Sequence, residues 1–160
     1  MTKTINPAPV RCSVTVRAPQ SKAFETFTSG FGRWWKRTGS GIGKSAFQTA
    51  IIEPFTGGRW YEIGEDETET DWGKVLAWEP NSRLLLAWQI GPDWQYHPDL
   101  VTEVEIRFTP EGPDVTRVEL EHRHLDRMGE AAAGFRDRVG SPKGWPTKLD
   151  IFATVVNEGA

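Results

Sequence analysis

The paired segments Glu103-Val-Glu-Ile-Arg-Phe108 and Val118-Glu-Leu-Glu-His-Arg123 decide the fold. Val104, Ile106 and Phe108 alternate with Glu103, Glu105 and Arg107, and Val118, Leu120 and His122 alternate with Glu119, Glu121 and Arg123. A period of two marks a strand with one wet face and one buried face. Gly112, Pro113 and Asp114 supply a turn, so the two segments read as an antiparallel hairpin. Charge sets its register. Arg107 opposite Glu119 and Glu103 opposite Arg123 are favourable, while Glu105 must face Glu121; a slip by two residues loses one of the opposite-charge pairs.

Upstream, Phe47 to Glu53, Gly58 to Ile63, Asp71 to Trp78 and Arg83 to Ile90 read as successive strands separated by Pro, Gly, Asn or acidic turns, a meander leading into the hairpin. Val10 to Arg17 alternates as well, with Val10, Cys12, Val14 and Val16 on one side. A helix follows it: Pro19 suits a first turn, Ala23, Phe24 and Phe27 make an apolar face, and Gly30 is placed to end it. Phe31 to Arg37 reads as a short second helix carrying Trp34 and Trp35. Beyond the hairpin, Leu125, Met128, Ala132, Phe135 and Val139 recur at helical spacing, and after the loop Gly140 to Gly144 a terminal helix opens at Pro146 with Leu149, Phe152, Ala153 and Val156 as its stripe. The order predicts an α+β fold in which the helix covers the apolar face of an antiparallel sheet.

The 160 residues are expected to form one domain, 1–160. No apolar run reaches the roughly 18 residues that span a bilayer, so no membrane partner is expected. The first eleven residues lack the apolar core of a secretory signal, which with a lone cysteine, Cys12, predicts a cytoplasmic protein. A balance of 19 basic against 22 acidic residues offers no general attraction for a nucleic-acid backbone.

Several constellations invite chemistry. Gly39-Ser-Gly-Ile-Gly-Lys-Ser45 looks like a phosphate loop, but Thr38 stands where the first glycine belongs and a strand follows instead of a helix. The default is a flexible loop at a cavity mouth. His122 and His124, two apart on a strand, would share a face, with His97 as a possible third ligand, yet no cysteine partner or recognised spacing completes a zinc site. No metal and no cofactor are expected; one histidine is read as buried and hydrogen-bonded and the other as lying at the strand end. Glu62, Glu65, Asp66, Glu67, Glu69 and Asp71 match no calcium loop and read as a solvated hairpin tip.

The aromatic inventory is the strongest functional signal. Eight Trp and eight Phe against two Tyr is a large supply of rigid apolar surface. Trp34, Trp35, Trp60, Trp72, Trp88, Trp94 and Trp145 fall on different elements, and eight indoles, each with an N–H that needs an acceptor, are awkward to pack dry.

The ordered series Phe31-Gly-Arg-Trp-Trp35, Ile52-Glu-Pro54, Gly57-Gly-Arg-Trp-Tyr61, Asp71-Trp-Gly-Lys-Val-Leu-Ala-Trp-Glu-Pro80, Arg83-Leu-Leu-Leu-Ala-Trp88 and Gly144-Trp-Pro146 resembles bacterial single-domain proteins related to the heat-shock-protein-90 ATPase activator, in the START-like, or SRPBCC, superfamily. The resemblance runs from about Val10 to Phe152. It implies a helix-grip fold, a sheet wrapped around the terminal helix with a deep cavity, and superfamily relatives that bind lipids, sterols, hormones or polyketides, some of them as cyclases. It carries over no catalytic residue. The eukaryotic activators bear an additional N-terminal domain for which this sequence has no room.

Three readings follow. The first is a binding module whose small apolar or aromatic ligand enters between the Gly39 to Ser45 loop and the terminal helix, touches Trp34, Trp35, Trp60, Trp72, Trp88 and Phe135, and is oriented by His122. The second is a cyclase or hydrolase with His122 as general base, assisted by Glu62 or Arg107. The third is a protein-interaction module, including chaperone stimulation, which requires an exposed apolar patch. A monomer or homodimer suits all three.

Overall fold

The computed structural model describes residues 8–159; residues 1–7 and 160, part of the expected domain, lie outside the described residues. The elements are β1 (Val10–Val16), α1 (Gln20–Phe27), α2 (Phe31–Trp35), a single 3-10 turn (Lys36–Thr38), β2 (Phe47–Ile52), β3 (Arg59–Gly64), β4 (Glu69–Glu79), β5 (Arg83–Trp88), β6 (Thr102–Gly112) and β7 (Val115–Arg123). A 3-10 segment (Leu125–Ala131), α3 (Ala132–Val139) and α4 (Trp145–Glu158) complete the chain. All seven strands form one antiparallel sheet in the order β1-β7-β6-β5-β4-β3-β2. The meander is as expected, and β1 closes onto the far side of β7. This is the helix-grip α+β architecture.

The hairpin register is the one that charge predicts. Glu103 faces Arg123, Glu105 faces Glu121 and Arg107 faces Glu119. The ion pairs are partly diagonal, however. Arg123 reaches Glu103 at 2.9 Å and Glu105 at 2.9 Å, while Arg107 turns to Glu105 at 3.2 Å and Glu119 is taken by Arg117 at 3.0 Å. Glu105 also accepts from Arg83, and Glu121 from Arg11 at 3.0 Å. The Glu105–Glu121 opposition is therefore relieved by arginines of four strands, β1, β5, β6 and β7. Burial would raise the Glu105 carboxyl, but hydrogen bonds from Arg83 and Arg123 outweigh it and hold that carboxyl below its ordinary range.

The opposite face of the sheet is the core. Val104, Ile106, Phe108, Val118 and Leu120 lie against the helices, and Phe152 of α4 meets Phe27 of α1 and Trp34 of α2 with ring centroids 5.3 and 5.6 Å apart. Pro146 occupies the first turn of α4, where a missing N–H costs nothing. The stripe from Leu125 to Val139 is not one helix: Gly129, at φ 69°, breaks it into the 3-10 segment and α3. A glycine permits that left-handed backbone and a helix cannot pass through it.

His122 and His124 do not share a face, contrary to expectation. β7 ends at Arg123, and His124 takes a left-handed φ of 64°, which turns its ring outward to within 3.6 Å of Glu103. His97, paired with Asp93 at 2.9 Å, lies on an exposed loop. Among the described residues no three His, Cys, Asp or Glu side chains converge as a metal site would require. Burial, reinforced by Asp150, pushes the Cys12 thiol up to about 11, so the thiol is inert.

Because Phe152 is fully buried and packs against Phe27 and Trp34, Phe152→Ala is expected to lower unfolding free energy by about 3 to 5 kcal/mol. Urea titration followed by circular dichroism measures it. An effect below about 1 kcal/mol would mean that α4 is not clamped as described.

Candidate ligand cleft

Adjacent residues on a helix point about 100° apart, so α2 sends Trp34 and Trp35 in different directions. Trp34 enters the core against Phe27, while Trp35 faces an opening where its ring lies 5.2 Å from Trp72 and 5.9 Å from Trp145. Trp72 of β4 and Trp88 of β5 extend the wall. Trp60 of β3 packs behind them, with centroids 5.5 Å from Trp72 and 5.9 Å from Trp88. Its partner across the ladder is Gly73, where a Cβ would collide with the Ala87 carbonyl, so only glycine allows β4 and β5 to approach there.

The result is a half-open cleft of about 460 Å³. Trp35, Trp72, Trp88, Ile90, Trp94 and Trp145 form its apolar walls; Gly39 to Ile42 form one lip, and Arg138, Lys143 and Lys148 stand around the mouth. Trp94 holds a left-handed φ of 59°, a conformation that costs a bulky residue of the order of 1 kcal/mol. Its ring is held 5.4 Å from Phe135, with the Arg138 guanidinium 5.5 Å over it. The strain places an indole over the opening.

The lip is fastened by a buried carboxylate. Glu62, 1 % exposed, accepts from the backbone N–H groups of Ile42 at 2.6 Å and Gly43 at 3.1 Å and from the Trp72 indole at 2.7 Å. The glycine-rich loop does cradle an anion, but the anion is the protein's own. Glu62 is thus not part of a solvated acidic tip, contrary to expectation. β3 alternates, and Glu62 shares the inward parity of Trp60. Trp35 adds a second fastening by donating to the Ser40 carbonyl at 3.0 Å.

His122 is fully buried beside this wall, its ring 4.9 Å from Trp88. Trp145 donates its indole N–H to Nδ1 at 3.1 Å, and an indole can only donate. The ring proton therefore resides on Nε2, which donates to the Thr102 hydroxyl at 2.8 Å; that hydroxyl donates to the Trp88 carbonyl at 3.1 Å. Both nitrogens are committed, and burial brings the ring down to about 3. It is a neutral connector between β7, β6 and α4.

The structure brings Trp35, Trp72 and Trp88 to the cleft surface and sets Trp34, Trp60, Phe135 and His122 behind it. It does not assemble the expected acid–base group: His122, Glu62 and Arg107 share no hydrogen-bond partner, and Arg107 lies on the outer, charged face of the sheet. The expected contact set omits Trp94, Trp145 and Lys148. Trp94 stood out in the sequence only as a member of the aromatic inventory, Trp145 also as the centre of the Gly144-Trp-Pro146 motif, and Lys148 carried no local signal.

The family described as "Activator of Hsp90 ATPase homolog 1-like protein" matches residues 17–157. Among solved structures, an anthrahydroquino-gamma-pyrone synthase, Txn09, is 38% identical over 94% of this chain and 97% of its own, with a TM-score of 0.66. The self-sacrificing resistance protein CalC from Micromonospora echinospora is 36% identical over 96% of both chains, TM-score 0.69. Protein NE0264 from Nitrosomonas europaea, 13% identical with 96% of both chains covered and a TM-score of 0.67, shares the fold. No curated protein matches the chain.

Two outcomes test this geometry. His122 has a folded pKa of about 3 against an ordinary 6.5, so the unfolded chain takes up its proton first. Its contribution is intact above about pH 6.5 and declines by roughly 1 kcal/mol per pH unit as pH falls toward 3. His122→Gln should flatten the stability profile between pH 4 and 6 relative to wild type in urea titrations; parallel profiles would refute a buried neutral ring. Glu62→Gln, which removes charge-assisted bonds to the lip, is expected to cost about 2 kcal/mol and to speed tryptic cleavage after Lys44.

Proposed function

The chain belongs to the activator of Hsp90 ATPase homolog 1-like family, and from that premise we propose that it binds a planar, largely apolar aromatic molecule in the indole-walled cleft. The observation that carries this reading is the convergence of Trp35, Trp72, Trp88, Trp94 and Trp145 on one open space of about 460 Å³. Sites for small organic ligands run from about 300 to 1,000 Å³ with mainly apolar walls and a few polar groups. A molecule of about three fused rings fits this volume, and indole faces and edges favour offset or edge-on contact with such rings. Burying roughly 200 Å² of ring surface contributes about 5 kcal/mol before the costs of association.

Of two relatives above 30% identity, one supports the choice of ligand class by its name. One is named for making a fused anthrahydroquinone–pyrone; the other is named for resistance. The first name points to a fused aromatic ring system of the size this cleft accommodates; the second names no ligand. The histidine-base reading lacks support, because both His122 nitrogens are bonded within the core. The large exposed hydrophobics among the described residues are Phe55 and Val115, which sit at separate turns and offer less to a docking protein than the cleft offers to a ring system.

Titration with a dihydroxyanthraquinone, read by intrinsic tryptophan fluorescence, is expected to give saturable quenching. Trp94→Ala should weaken the apparent affinity roughly tenfold, the scale of one or two lost aromatic contacts, whereas Phe55→Ser on the far loop should leave it unchanged. Absence of saturable quenching, or equal affinity in Trp94→Ala, would refute the reading.

A further inference from the structure

The charge around the cleft has the opposite sign to that of the whole chain. The protein carries a formal charge of −3, yet the residues lining the cleft include Arg138, Lys143 and Lys148 and not one Asp or Glu. None of the three makes an ion pair among the described residues, whereas Arg59, Arg83 and Arg123, which project from the sheet, are paired closely. The carboxylate nearest this lip, Glu62, points into the loop backbone and the Trp72 indole.

Lys148 is the most informative of the three. It is half-buried in the first turn of α4, with its Nζ 4.7 Å from the centre of the Trp35 ring and 3.4 Å from the Ser40 hydroxyl. A cation in the first turn faces the positive end of the helix, so helix stability does not explain its position. Burial without a counter-ion holds this ammonium below the ordinary lysine range. An aromatic face and one hydroxyl leave at least one of its three donors free toward the cleft. Arg138, above Trp94, and Lys143 on the α3–α4 loop add positive potential at the mouth.

We propose that the cleft selects aromatic acids: its occupant carries an anionic oxygen, a carboxylate or an ionised phenol or enol, that takes Lys148 as its counter-ion while its rings lie against Trp35, Trp72 and Trp94. This deepens the reading of the cleft as an aromatic-ligand site and rests on it. The rings supply contact area, and the anion fixes which end of the molecule enters beside α4. A charge-assisted hydrogen bond in a partly desolvated setting gives strong discrimination, because a neutral analogue leaves the ammonium desolvated and unpaired.

Anthraquinone-2-carboxylate and its neutral carboxamide have the same rings and nearly the same shape, and calorimetric titration of both at pH 7.5 separates the two ideas. The carboxylate is expected to bind the wild-type protein at least tenfold more tightly than the carboxamide, the scale of one charge-assisted bond. Lys148→Met should reduce that ratio to about threefold or less, and Lys148→Arg should retain most of it. Arg138→Gln combined with Lys143→Gln should reduce the ratio more weakly and make it less dependent on salt. Equal affinities for acid and amide in the wild type would overturn the proposal while leaving the aromatic cleft standing. Binding of neither compound would overturn both.

Discussion

An indole N–H that is buried must find an acceptor, and this requirement organises the molecule around its cleft. Six tryptophans are buried, and five of them satisfy the requirement within the protein. The acceptors lie mostly off the sheet: the end of α1 for Trp34, the glycine-rich lip for Trp35, and the segment after β5 for Trp88. Trp72 and Trp145 find side chains, Glu62 and His122. Each bond ties a rigid ring to a second element or loop of the fold. Trp60 is the exception, with a buried N–H that has no protein partner. Leaving such a group unmet costs of the order of 1 to 3 kcal/mol, which shows how strong the pressure is on the other five.

Two polar side chains acquire their character from this arrangement. Glu62 is surrounded by N–H donors, so its charge is consumed in holding the lip of the cleft. His122 receives one indole and gives its proton to a threonine, so it is fixed as a neutral strut. Neither has chemistry left to offer a substrate. What stays open toward the cleft is the margin of its buried indoles, the partly exposed Trp94 and the cations at its mouth. The two faces of the sheet are accordingly specialised. The outer one is a network of Arg and Glu that fixes register between β5, β6, β7 and β1, and the inner one packs the helices and presents rings.

The element order, the sheet meander and the register of the β6–β7 hairpin were all legible in the sequence, because alternation and cross-strand charge are local properties that a strand cannot escape. The terminal helix was legible for the same reason, from the spacing of Leu149, Phe152 and Val156 after Pro146. So was the aromatic excess, although not its division between core and cleft. Strand parity would have assigned Glu62 to the inside beside Trp60, had it been weighed against the acidic run that follows.

What the tertiary structure decided is which rings face open space. Register shifts between Trp60 and Tyr61 and between Val75 and Ala77 interrupt the pairing of β3 with β4 and of β4 with β5. A one-residue slip turns every later side chain to the other face, so sequence parity alone cannot follow β4 past them. Left-handed backbone at Trp94 and His124 redirects two more rings, and loop closure brings Lys148 beside Trp35 across more than a hundred residues. By itself the sequence determined that a bent sheet would grip its last helix with an aromatic interior. The direction of each ring and the sign of the charge at the mouth depend on contacts between distant segments, which exist only once the sheet has curled.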